Sequence, residues 1–116
     1  MIRKYLAGFQ YALRGIWLAF RYEGYMRFHF IAAVAVLIAN YLLKTTKTEW
    51  LITILLIGLV WMAEIFNTAI EKLADRVNPE YDPMIGLAKD LAAGAVLIIC
   101  LVAVICALII YWPYLS

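Results

Sequence analysis

Glu64, Asn67, Glu71 and Asp75 recur at intervals of three and four residues in the segment AEIFNTAIEKLAD, residues 63–75. At about 100° per residue these side chains, with Thr68, share one stripe of a helix. Glu64 and Glu71 stand about 10 Å apart along its axis, at about 1.5 Å per residue. Several carboxylates at one level can hold Mg2+, which takes oxygen ligands and keeps waters and substrate phosphates. One further carboxylate can accept a proton from a hydroxyl, and a nearby lysine can meet phosphate charge. Such a set could serve phosphate chemistry.

The setting makes the stripe unusual. It follows Trp50–Ala63, a run that is apolar except for Thr53 and Gly58. Carboxylates beside a membrane-length apolar run are costly and call for a task or a partner. A helix end emerging into water would account for Lys72 and Asp75, and in part for Glu71. It accounts poorly for Glu64, because Ile65, Phe66, Ala69 and Ile70 keep the helix apolar beyond it.

Two other clusters complement the stripe. RYEGYMRFH, residues 21–29, sets Glu23 beside Arg21 and Arg27, and AKD, residues 88–90, supplies Lys89 and Asp90. Interfacial anchoring is the alternative for the two arginines; for the second pair it is a helix-start Asp with a snorkelling Lys. No GxxxxGK[ST] or GxGxxG occurs, so any nucleotide site must be built otherwise. The single histidine, His29, opens an apolar run without a GxSxG partner and reads as structural. Cys100 and Cys106 lie six apart on different sides of one apolar helix, which fits neither a disulfide nor a metal site.

The elements that position these groups follow from composition. The 116 residues make one domain, with 67% hydrophobic and 16% charged residues, against typical values of about 45–50% and about 25%. So short a chain cannot hide that much apolar surface from water, and the bilayer is the expected solvent. A net charge of +2, with no basic run interleaved with aromatics, gives no case for nucleic acid. Charge spread along the N-terminal segment argues against a cleaved signal peptide.

Three apolar segments are expected to span the membrane, about 28–43, 50–75 and 90–112. Leu91–Trp112 is 22 residues without a charge. The other two reach spanning length only with their polar ends. Residues 1–22 instead place Ile2, Leu6, Phe9, Leu13, Trp17 and Phe20 on one helical face, with Arg3, Gln10, Arg14 and Arg21 largely opposite. Such a helix suits the membrane interface, or equally a packing role against its own bundle. Thr48 and Glu49 are the expected start of the second span. Five Lys or Arg precede the first span, two lie in the first connector and three between Lys72 and Lys89. With the N-terminus and second connector cytoplasmic, eight lie inside and two outside, in accord with the positive-inside rule. The expected fold is an all-α integral membrane protein with an N-terminal surface helix and three transmembrane helices.

EIFNTAIEKLAD resembles the signature of the prokaryotic diacylglycerol kinases, Glu–x–x–Asn–[Ser/Thr]–x–x–Glu–x–x–x–Asp on the second membrane helix. The resemblance covers nearly the whole chain, and YALRGI at 11–16 and AKDLAAGAVL at 88–97 look closer to the Gram-positive undecaprenol kinase branch. Tyr25 departs from that branch's Glu–x–Asn–x–Arg–x–His stretch. The resemblance implies that Glu64 is the general base on a lipid hydroxyl and that Glu23 and Glu71 ligate Mg2+ and thereby hold ATP. Asn67 and Asp75 would support that group. Lys89, Asp90 and the stretch Glu80, Tyr81 and Asp82 would contact ATP phosphates, and Tyr11 would lie near the adenine. It implies a homotrimer with shared active sites at the cytoplasmic face of a bacterial cell membrane. Undecaprenol is the expected acceptor and diacylglycerol the alternative. A cation-coupled transporter carrying on Glu64 and a non-catalytic assembly subunit are the readings from other classes.

Overall fold

Helix breaks at three short connections define the architecture of the computed structural model, which describes residues 1–78, 80 and 82–116. The helices are α1 (Ile2–Tyr22), α2 (Gly24–Leu43), α3 (Lys47–Val77) and α4 (Pro83–Leu115). The chain is thus all-helical among the described residues. α2, α3 and α4, of 20, 31 and 33 residues, are each long and apolar enough to cross a bilayer. At about 1.5 Å per residue, α3 is about 46 Å long, well beyond the roughly 30 Å of a hydrocarbon core. Its polar last turns can therefore stand clear of the lipid tails.

Each connection has a local cause. Glu23 alone separates α1 from α2, in an extended conformation at φ −100° and ψ 115°, with its N–H on the Ala19 carbonyl. α2 ends at Lys44, which adopts the left-handed conformation (φ 54°, ψ 49°) common just past a helix end. Two residues later Thr46 caps α3. Glu49 N–H donates to Thr46 Oγ1 at 3.2 Å, and Thr46 N–H donates to Glu49 Oε1 at 2.9 Å. This reciprocal capping box moves the start of α3 ahead of the expected Thr48–Glu49, because Glu49 serves as the third helical residue. Asp82 caps α4, accepting from the N–H groups of Met84 and Ile85, and Pro83 follows it where no N–H is needed.

Contacts between helices fix their directions. His29 meets Trp61 while Asn40 meets Thr53, so α2 and α3 are antiparallel. Lys89 meets Asp75 while Tyr114 meets Glu49, so α3 and α4 are antiparallel too. Ala33, Ala74 and Ala92 are buried, in keeping with the small residues that let membrane helices approach. Large side chains such as Leu55, Leu97 and Ile109 point outward, the reverse of a water-soluble fold. Phe20 of α1 packs edge-on against Phe30 of α2 and Trp61 of α3, at centroid distances of 5.7 and 5.0 Å. Only this C-terminal end of α1 carries a buried residue, Ala19.

A polar clamp ties α2, α3 and α4 at the end opposite the acidic stripe. Asn40 is fully buried; its Nδ2–H donates to Thr53 Oγ1 at 2.8 Å, and its Oδ1 accepts from the Tyr111 hydroxyl at 2.5 Å. Asn40→Ala is expected to destabilise the bundle by about 1 kcal/mol, within the roughly 0.6–1.7 kcal/mol found for hydrogen bonds between membrane helices. Thermal unfolding in detergent would measure it, and Tyr111→Phe in the same background should add little.

Candidate active site

The antiparallel arrangement gathers the N-terminus of α2, the C-terminal half of α3 and the N-terminus of α4 at one end of the bundle. Three contacts between ionisable side chains form there. His29 Nε2 lies 3.4 Å from Glu64 Oε2, Lys72 Nζ lies 3.2 Å from Glu23 Oε1, and Lys89 Nζ bonds Asp75 Oδ1. The stripe on α3 is graded in depth. Glu64 is buried at 6% exposure, whereas Glu71 and Asp75 are exposed. Between them Asn67 donates its Nδ2–H to Glu71 Oε1 at 3.3 Å, and its Oδ1 is buried with no partner among the described residues. An orphaned acceptor beside two carboxylates is a natural place for a cation or a donating ligand.

Not every expected residue joins this group. Tyr11 stands 72% exposed midway along α1, away from the elbow that packs on α2. Asp90 is exposed at the first turns of α4. Asp82 spends its carboxylate on the α4 N-terminus. Glu80 is exposed, its N–H donating to Asn78 Oδ1 at 3.1 Å. Tyr81 lies outside the described residues. No group of three or more His, Cys, Asp or Glu side chains has metal-binding geometry among the described residues. Mg2+ asks for less than that, since one or two carboxylates with waters and phosphates suffice. Glu23 and Glu71 match that donor chemistry, and Glu23 already holds a cation in the Lys72 ammonium.

His29, which reads as structural in the sequence, has a partner that the pattern does not show. It is half-buried, its ring packs edge-on against Phe28 at 5.6 Å, and its carbonyl accepts from Trp61 Nε1–H at 3.4 Å. Its partner Glu64 is 35 positions away in sequence, so no local motif joins them. A usable signal exists nonetheless: tyrosine aside, each of two apolar runs contains one ionisable residue, and such residues tend to pair.

An apolar crevice of about 300 Å3 runs between α2, α3 and α4. His29, Trp61 and Cys100 line it near Glu64, and Thr53 and Tyr111 line it near the clamp. The buried Glu64 thus lies behind His29, which lines a greasy slot that continues toward the clamp.

The family model for prokaryotic diacylglycerol kinase matches residues 10–111. The chain belongs to the prokaryotic diacylglycerol kinase family. An undecaprenol kinase from Bacillus subtilis (strain 168) is 40% identical over 98% of this chain and 93% of its own. A diacylglycerol kinase from Escherichia coli (strain K12) is 38% identical over 93% of this chain and 87% of its own. A diacylglycerol kinase from Haemophilus influenzae is 31% identical over 83% and 82% of the two chains. As a prokaryotic diacylglycerol kinase family member, the chain is an enzyme, a multi-pass membrane lipid kinase with ATP as co-substrate. A transporter role is not favoured by these likenesses.

Proposed function

We propose that the chain transfers the γ-phosphoryl group of ATP to the hydroxyl of undecaprenol, giving undecaprenyl phosphate. The observation that carries the reading is the burial of Glu64 against His29, which lines an apolar crevice, with a more exposed set of acids and lysines at the same end of the bundle. A lipid hydroxyl can approach from the crevice side while nucleotide arrives from water. The likeness to the Bacillus subtilis enzyme supports undecaprenol as acceptor. The likeness to the Escherichia coli enzyme supports the alternative, diacylglycerol converted to phosphatidic acid.

In this reading Glu64 takes the proton of the lipid hydroxyl as its oxygen attacks the γ-phosphorus. Glu23 and Glu71 would hold Mg2+, with Asn67 and Asp75 in support. When bound, Mg2+ supplies neutralisation of the charge on the ATP phosphates. Lys89 leaves Asp75 to meet phosphate, Asp90, Glu80, Tyr81 and Asp82 border the nucleotide, and Tyr11 lies toward the adenine. The whole chain, 1–116, acts as one lipid kinase domain, with about 28–43, 50–75 and 90–112 inside the membrane. Residues 1–22 lie in the interface, where Leu6, Phe9 and Trp17, all exposed, meet lipid. The N-terminus and the site face the cytoplasm of a bacterial cell membrane. A homotrimer would shelter the stripe on α3 and complete each site from a neighbouring subunit.

The test is transfer of 32P from ATP to undecaprenol and to diacylglycerol, side by side in one detergent. Higher kcat/KM on undecaprenol supports the proposal, and higher kcat/KM on diacylglycerol selects the alternative. No transfer to either lipid would overturn both.

A further inference from the structure

Within the apolar runs 28–43, 50–70 and 91–112, cysteines aside, His29 and Glu64 are the two ionisable side chains other than tyrosine. They meet at 3.4 Å with side-chain exposures of 14% and 8%. A buried carboxylate without a donor is unfavourable, and Glu64 has one candidate donor in contact with it among the described residues. The contact is also held in place. Trp61, one turn before Glu64 on α3, donates to the His29 carbonyl on α2, so one indole sets the register of both helices where the two side chains meet. His29 lines the crevice and Glu64 lies behind it. A hydroxyl coming along the crevice therefore reaches the imidazole on its way to the carboxylate.

We infer that His29 is a positioning residue for phosphoryl transfer, its Nε2–H holding Oε2 of Glu64 so that Oε1 is presented to the lipid hydroxyl. The inference rests on Glu64 being the base. The same division of labour, in which one group takes the proton and a second fixes its orientation, recurs in catalytic triads. The chemistry balances without His29 changing charge. The hydroxyl proton passes to Oε1, the freed oxygen bonds the γ-phosphorus, and the bond to the bridging oxygen of ADP breaks. Glu64 returns its proton to water once the phosphorylated lipid leaves.

Replacing His29 by Gln and by Met separates donation from packing, because the two are similar in length and only Gln carries an N–H. His29→Met is expected to lower kcat by about 10–100-fold, as losing an orienting hydrogen bond does at metal sites. KM for ATP should stay unchanged, which also reports that the nucleotide site is folded. His29→Gln should recover most of the loss, and His29→Met in a Glu64→Gln background should have no further effect. If His29→Met fails to fold, His29→Phe is read the same way. Wild-type turnover in His29→Met, or equal loss in the Met and Gln variants, overturns the inference while leaving Glu64 as base. Full turnover in Glu64→Gln alone would instead remove the base and the inference with it.

Discussion

Glu64→Gln is expected to abolish lipid phosphorylation while leaving ATP binding largely intact. A positioned base contributes about 10²–10⁴-fold, so the residual rate should lie that far below wild type. The substitution keeps shape and removes only basicity and charge. Because Glu64 is buried in the apolar part of α3, a neutral amide there sheds the desolvation penalty of the carboxylate. The variant should therefore unfold at the same temperature as wild type or higher. Loss of turnover with equal or greater stability marks a residue kept for chemistry rather than for packing. Parallel measurement of 32P transfer, ATP KM and detergent melting gives all three readouts, and a fully active variant would sink the assignment.

Glu71→Ala is expected to damage the other half of the site. Glu71 is exposed, and its Oε1 receives the amide of Asn67, whose own oxygen is left without a donor among the described residues. If Glu71 holds Mg2+ as proposed, removing the carboxylate deprives the cation of one protein ligand, and it also breaks the hydrogen bond from Asn67. The rate should fall by more than the roughly 10–100-fold typical of losing an outer partner of a metal. The concentration of Mg2+ needed for half-maximal rate should rise as well, and Mn2+ binding followed by electron paramagnetic resonance should weaken. Because Glu71 faces water, melting should hardly change. A change in stability with unaltered turnover would point to an assembly role instead.

The membrane class was written in the composition, and the stripe on α3 in a spacing of three and four. Leu91–Trp112 announces α4 because nothing in it is charged, and Glu64 stands out because apolar residues continue past it. What the sequence hides is pairing across helices. Lys72 with Glu23, Lys89 with Asp75 and His29 with Glu64 each join residues at least 14 positions apart, and no periodicity encodes such distances. The start of α3 is ambiguous in the sequence for a similar reason. Thr46 and Thr48 are both good caps by type, and only the reciprocal bond to Glu49 chooses between them. Asn40 read as a lone polar residue near the end of a span until Thr53 and Tyr111 supplied its partners.

The clamp around Asn40 makes the bundle mechanically lopsided. Three helices are fastened by buried hydrogen bonds at one end, whereas at the other they are joined mainly by ion pairs open to water. A set of rods fixed at one tip behaves like tongs, and the amplitude of its spreading grows with distance from the tie. The crevice is the space between the arms. Small adjustments around Asn40 are thus magnified at Glu64, Glu71 and Asp75, which lie 11, 18 and 22 residues along α3 from the tie at Thr53.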